Sequence, residues 1–168
     1  MALKVLIVMG SDSDLEQVLP AAQVLKEFDV PVEITVASAH RSPDRVLELA
    51  RGARGRGIGV VIAAAGGAAH LAGVFAANTT LPVVALPVSW GTLGGVDALL
   101  SSVQMPGGVP IASVGIGGGK NAGFFAAAIL SASDSALAGR IDAFRKNQAA
   151  KVVEADAKMQ AKLAANKG

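Results

Sequence analysis

Apolar residues recur along the chain in two rhythms. Short continuous runs rich in branched side chains, at residues 3–9, 32–37, 59–65, 82–86 and 111–116, read as buried strands. Between them lie segments with helical spacing. Residues 14–28 place Leu15, Val18, Leu19, Ala22 and Leu25 on one side, and residues 43–54 set Val46, Leu47 and Leu49 against Arg45, Glu48 and Arg51. Shorter helices are predicted near 69–77, 93–103 and 121–132. Residues 134–165 predict a long final helix whose apolar stripe, Leu137, Ile141 and Phe144, continues less regularly through Val152, Val153, Met159 and Leu163. Packing on its own domain and lying across a neighbouring subunit are both open to that helix. Residues 164–168 are expected to fray.

Strands alternating with helices imply a parallel sheet joined by right-handed crossovers. Five such units predict an α/β, flavodoxin-like three-layer sandwich with a five-stranded parallel sheet and a long C-terminal helix, one domain over residues 1–168. Ligands in such folds sit outside the carboxyl ends of the strands. The first three strands end in Gly10-Ser11-Asp12-Ser13-Asp14, Ser38-Ala39-His40-Arg41-Ser42-Pro43 and Gly66-Gly67-Ala68-Ala69-His70. All three turns therefore belong at one edge of the sheet, as a single candidate pocket holding both histidines of the chain.

Charge sharpens this picture. The net charge is only +2, with Lys and Arg scattered, which argues against a nucleic-acid surface. Between Arg56 and Lys120 the one formally charged residue is Asp97. A membrane span competes as an explanation, since residues 58–77 have near-spanning length. Gly66-Gly67, His70, Asn78-Thr79-Thr80 and several prolines interrupt it, so a doubly buried sheet with broad subunit contacts is preferred. A tight homo-oligomer is expected, with neither membrane nor nucleic acid as partner. The start of the chain runs straight into a strand with no leader pattern, and a cytoplasmic location is expected. Cysteine is absent, which excludes disulfides, thiolate catalysis and Cys-based metal sites. No His/Asp/Glu cluster has convincing metal spacing.

Each turn has an ordinary reading beside a functional one. Ser13 with Glu16 matches a capping box, yet four polar residues exceed what a cap requires. A helix start also favours a phosphate, with Ser11 as a donor; Asp14 would repel that group and suits sugar hydroxyls. Ser42 and Pro43 suit a helix N-cap and first position, which leaves His40 and Arg41 unexplained. Imidazole gives and takes protons near neutrality, and the Arg41 fork suits phosphate. The glycine turn allows close backbone packing or close approach to a flat or small anionic ligand; His70 either orients that ligand or is structural. The segment 115–120 fails the Walker phosphate-loop pattern, with Val114 at its first glycine position and Asn121 at its Ser/Thr position, and Lys120 breaks Gly-x-Gly-x-x-Gly.

Gly10-Ser11-x-Ser13-Asp14, Ser38-Ala39-His40-Arg41-x-Pro43-Asp44, Ala65-Gly66-Gly67-Ala68-Ala69-His70-Leu71 and Val103-Gln104-Met105-Pro106-Gly107-Gly108-Val109-Pro110, in this order, resemble the PurE family of N5-carboxyaminoimidazole ribonucleotide mutases. The uncharged turn ending in His70 resembles the bacterial and plant class. The resemblance covers nearly the whole chain and implies a purine-biosynthetic isomerase that moves a carboxylate from N5 to C4 of an aminoimidazole ribonucleotide, through enclosed CO2, with no cofactor or metal. It implies that His40 is the general acid/base, with His70 nearby. Ser11, Ser38 and Arg41 would hold the 5′-phosphate and Asp14 the ribose. The turn including Ala65, Gly66, Gly67 and Leu71 would confine the CO2. The family's octamers would account for the charge-free stretch.

The chain also departs from the family. Leu15 stands where the family usually carries Trp, Ser89-Trp90-Gly91-Thr92-Leu93 is unusual, and the loop at 117–120 is about two residues short, within ordinary loop tolerance. Trp90 is expected to supply the aromatic cover missing at Leu15. The rival readings are a carboxylase using free CO2, a non-catalytic nucleotide-binding module, and a phosphoacceptor domain. The last needs an acid at the third strand end, where the chain has Ala63-Ala64-Ala65-Gly66.

Overall fold

The computed structural model describes residues 3–166. Two compact units are separated between Leu130 and Ser131. The first contains five strands, β1 (Lys4–Met9), β2 (Val32–Val36), β3 (Ile58–Ala65), β4 (Val83–Pro87) and β5 (Ala112–Ser113). It also contains α1 (Leu15–Glu27), α2 (Pro43–Gly52), α3 (Leu71–Asn78), α4 (Val96–Val103) and α5 (Gly119–Ser131, whose last residue opens the second unit). A short 3-10 turn, Asp12–Asp14, precedes α1, and another, Arg54–Arg56, replaces the predicted end of α2. The second unit is the helix α6, Ser135–Ala165. Its predicted frayed end is helical through Ala165; residues 167 and 168 lie outside the described residues.

Every strand pairing is parallel, in the order β2-β1-β3-β4-β5. The doubly wound α/β sandwich is therefore the fold of the first unit, as the alternation of apolar runs predicts. Because side chains alternate across a strand, Leu6, Val8, Val61, Ala63, Val83 and Ala85 share one face. They form a core with Val46, Ala50, Leu71 and Phe75 from α2 and α3. Val5, Ile7, Val60, Ile62, Val84 and Leu86 point the other way and are buried as well. Burial on both faces explains why these strands read as unbroken apolar runs.

The largest departures from the predicted lengths are at α4 and β5. The 93–103 helix begins only at Val96, because Gly95 is left-handed (φ 94°) and lies close to β4: a Cβ there would stand 2.9 Å from the Val88 carbonyl oxygen. β5 keeps two residues. After the Val114 N–H bonds the Ala85 carbonyl, the segment turns away and the next bond to β4 runs from the Gly117 N–H to the Pro87 carbonyl.

α1 and α5 approach closely at Gly123, where a Cβ would lie 2.7 Å from the Ala21 carbonyl oxygen and 3.0 Å from Val24 Cβ. Helix propensity favours alanine over glycine by about 1 kcal/mol, but overpacking costs about 1–3 kcal/mol. Gly123→Ala is expected to lower stability. Gly139→Ala in α6, where a Cβ meets nothing within 4 Å, is expected to raise it. Denaturant titration of both variants checks the opposite signs.

The order also fixes where a ligand can sit. From β1 the chain steps to β2 on one side and later to β3 on the other, so the strand order reverses at β1. Crevices form at the carboxyl end of such switch points. Three backbone bonds extend the ladders beyond the strand ends: Gly10 N–H to the Ala64 carbonyl, Ala37 N–H to the Met9 carbonyl, and Val88 N–H to the Ala65 carbonyl, at 2.9–3.0 Å. They hold the beginnings of the three motif-bearing turns, and of the segment after β4, against one another.

Candidate active site

The turn after β1 is organised by Ser11. Its hydroxyl accepts from the Ser13 N–H and the Ser13 hydroxyl and donates to Asp12 Oδ1, while its N–H donates to Asp14 Oδ2 at 3.1 Å. The capping box is thus Ser11 with Asp14, where the sequence predicts Ser13 with Glu16. The 3-10 turn moves the cap two residues earlier. Asp14 is only 8 % exposed. Burial pushes its carboxyl above the usual aspartate range, against the Ser11 N–H, the Ser13 side chain and the Arg41 charge, which favour ionisation; Asp12 adds a smaller upward push. The sign for stability follows. Between the ordinary and the raised value the folded chain holds a proton that the unfolded chain has released, so this group withdraws stability as pH rises through that window.

The turn after β2 closes on itself. The Ser42 hydroxyl accepts from the Ser38 N–H (2.9 Å) and donates to the Ser38 carbonyl (3.2 Å). Ser42 occupies the predicted N-cap position of α2, but its side chain makes no capping bond there. Ser38 Oγ accepts from the Arg41 N–H and Nε–H, and Arg41 Nη2 donates to the Gly10 carbonyl at 2.9 Å. Arg41 thereby ties the second turn to the first. These contacts engage only two of the five donors that a guanidinium carries.

The turn after β3 delivers the second imidazole. Gly67 is left-handed (φ 61°), the His70 N–H bonds the Ala68 carbonyl, and Leu71 is buried at the start of α3. His40 Nε2 and His70 Nδ1 stand 2.9 Å apart, with the rings nearly perpendicular at 85°. One facing nitrogen must donate and the other accept, so each ring selects the tautomer of the other and the contact tolerates one shared hydrogen.

These groups line one cavity of about 490 Å³, a size suited to a small organic ligand. Of the residues singled out in the sequence, Ser11, Asp14, Ser38, His40, Arg41, Ala65, Gly66, His70 and Leu71 line it. Gly67 does not line it; a Cβ there would meet the Trp90 ring at 3.6 Å. The segments at 103–110 and 117–120 do not line it. Met105, from the former, packs instead against Gly73 of α3. Trp90 does line the cavity. Gln17, on α1, escaped the sequence reading: its amide bonds both backbone groups of Ser89, beside Trp90. No local motif signals a side chain whose partner is a backbone 72 residues away. Among the described residues no group of three or more His, Cys, Asp or Glu is placed to hold a metal, and no helix is long and apolar enough to cross a membrane.

Residues 4–151 match the AIR carboxylase family. An N5-carboxyaminoimidazole ribonucleotide mutase of Bacillus subtilis is 55 % identical over 150 residues, covering 88 % of this chain and 93 % of the relative. One of Mycobacterium tuberculosis is 52 % identical over 154 residues, covering 92 % and 88 %. Among solved structures, Treponema denticola PurE2-S38D superposes with a TM-score of 0.85 at 28 % identity, covering 94 % of this chain and 98 % of that one. With a family match spanning most of its length and relatives above half identity, the chain belongs to the AIR carboxylase family.

Proposed function

We propose that this protein is an N5-carboxyaminoimidazole ribonucleotide mutase of purine biosynthesis. The observation that carries the reading is the His40–His70 contact in a cavity that Arg41, with guanidinium donors to spare, also lines. In the proposed reaction the N5–carboxylate bond breaks, its electron pair stays on nitrogen, and a proton is delivered there. The released CO2 is attacked by C4 of the ring, forming a carbon–carbon bond. The C4 hydrogen then leaves as a proton to the His40 imidazole. The sum is an isomerisation with no net change in protons or electrons.

In this proposal His40 is the general acid/base, with His70 as its hydrogen-bonded partner. Arg41, Ser38 and Ser11 bind the 5′-phosphate; the Arg41 fork can take two phosphate oxygens at once, and the Ser11 hydroxyl turns to the ligand from Asp12. Asp14 accepts from the ribose hydroxyls. The turn at Ala65, Gly66, Gly67 and Leu71 confines the CO2, because an uncharged lining excludes the water that would hydrate it. Holding CO2 beside the ring makes recapture effectively intramolecular.

The protein is further proposed to act in the cytoplasm as a homo-octamer, each copy a single PurE-like domain with α6 lying on a neighbouring subunit. Exposed Val96, Leu100 and Val103 on one side of α4, within the nearly charge-free stretch, support a subunit interface.

The decisive experiment follows interconversion of the N5- and C4-carboxylated ribonucleotides by purified protein, without ATP and with a chelator present. Conversion in both directions is expected. Bicarbonate-dependent carboxylation of the bare aminoimidazole ribonucleotide, with no use of the N5-carboxylated substrate, would replace the mutase reading with that of a carboxylase.

A further inference from the structure

Trp90 is the only tryptophan of the chain, and it stands 68 % exposed on the cavity rim. Fully burying such a side chain stabilises a fold by roughly 2–3 kcal/mol, so leaving it open forgoes most of that gain. Its backbone is nevertheless anchored. The Gln17 amide accepts from the Ser89 N–H at 2.8 Å and donates to the Ser89 carbonyl at 3.2 Å. The Val88 N–H bonds the Ala65 carbonyl, and the Ser89 hydroxyl donates to the Gly94 carbonyl. The indole rests on the glycine turn: a Cβ on Gly66 would meet Trp90 Cβ at 3.2 Å, and one on Gly67 would meet Cζ3 at 3.6 Å. The bare turn is thus shaped to receive this side chain on one side and the cavity on the other. Leu15, the first residue of α1, is 39 % exposed and does not line the cavity.

We propose that Trp90 is the wall that retains CO2 during carboxyl transfer, and that Gln17 is a positioning residue that aims it through the Ser89 backbone. The inference rests on the mutase reading of the site. A rigid apolar face beside the glycine turn blocks escape of CO2 and entry of water. Hydration would turn CO2 into bicarbonate, which lacks the electrophilic carbon that C4 attacks. Retention is therefore a separate task from the proton transfers of His40.

The test uses the full-length enzyme and substrate isotopically labelled in its N5-carboxylate, in excess unlabelled bicarbonate. The wild-type enzyme is expected to deliver the label to C4. Trp90→Ala is expected to lower label retention several-fold while free aminoimidazole ribonucleotide accumulates, and Trp90→Phe to restore most retention. Gln17→Leu is expected to share the defect. Gln17→Glu, which keeps an acceptor for the Ser89 N–H, is expected to recover part of it. Full label retention by Trp90→Ala would overturn this proposal alone, whereas a wild-type enzyme that forms no C4 product would overturn the mutase reading beneath it. Fluorescence gives a second, independent readout, since the chain has no tyrosine and its selective emission comes from Trp90. Aminoimidazole ribonucleotide should change that emission and shield the indole from a soluble quencher, and Gln17→Leu should lower its anisotropy. Emission and quenching indifferent to the ribonucleotide would count against Trp90 as a cavity wall.

Discussion

Replacing His40 by asparagine is expected to abolish interconversion of the carboxylated ribonucleotides while the ligand still binds. Asparagine keeps a polar atom near the Nδ1 position, loses the Nε2 contact to His70 and cannot take a proton and return it. General acid–base catalysis contributes about 10²–10⁴ in rate, and the proposed reaction requires both delivery and removal of a proton, so the loss should lie at or beyond the upper end. Affinity should change little, because the proposed phosphate contacts come from Ser11, Ser38 and Arg41 instead. Turnover measured by product formation, set beside a Trp90 fluorescence titration with aminoimidazole ribonucleotide, separates the two quantities. Unchanged conversion by this variant would remove His40 from its assigned role. Lost affinity of the same size as the lost turnover would make it a binding residue.

The second large effect is expected at Arg41. Alanine there removes the fork proposed to hold the 5′-phosphate and also the bond to the Gly10 carbonyl. A hydrogen bond to a charged group is worth about 1.5–3 kcal/mol, or roughly tenfold to a hundredfold in affinity. The loss should fall mainly on KM, since in the proposed role Arg41 holds the phosphate throughout the reaction and does not distinguish its steps. Lysine should recover only part of it, because an ammonium cannot reproduce the planar two-point contact. Steady-state kinetics of Arg41→Ala and Arg41→Lys check this. An unaltered KM in both would place the phosphate elsewhere.

The fold was legible because its strands are buried on both faces and so announce themselves as unbroken apolar runs, β1 and β3 most clearly. The convergence of the candidate residues was legible because a doubly wound sheet sends the turns after β1, β2 and β3 to one edge, whatever their separation in sequence. Finer placement was decided by competition that sequence spacing does not reveal. Ser42 has the residue type and position of an N-cap, yet its hydroxyl is better served by closing the turn on Ser38. Ser13 has a matching Glu16, yet the 3-10 turn lets Ser11 and Asp14 satisfy each other first. His40 and His70 each announced a polar turn, but their direct contact depends on two turns reaching across the strand between them, β1. Gln17 carried no signal, because its partners are main-chain atoms, which look alike in every sequence.

The length of α6 has a consequence of its own. At 1.5 Å per residue, its 31 residues span about 46 Å, and positions 145–165 are all solvent-exposed, with Val152 and Val153 70 % open. In proteins most helical stability comes from tertiary packing. A surface packed against the outer half would therefore add to its stability. If that surface belongs to a sister chain, dilution and unwinding become one equilibrium, and helical content turns into a gauge of how crowded the molecules are.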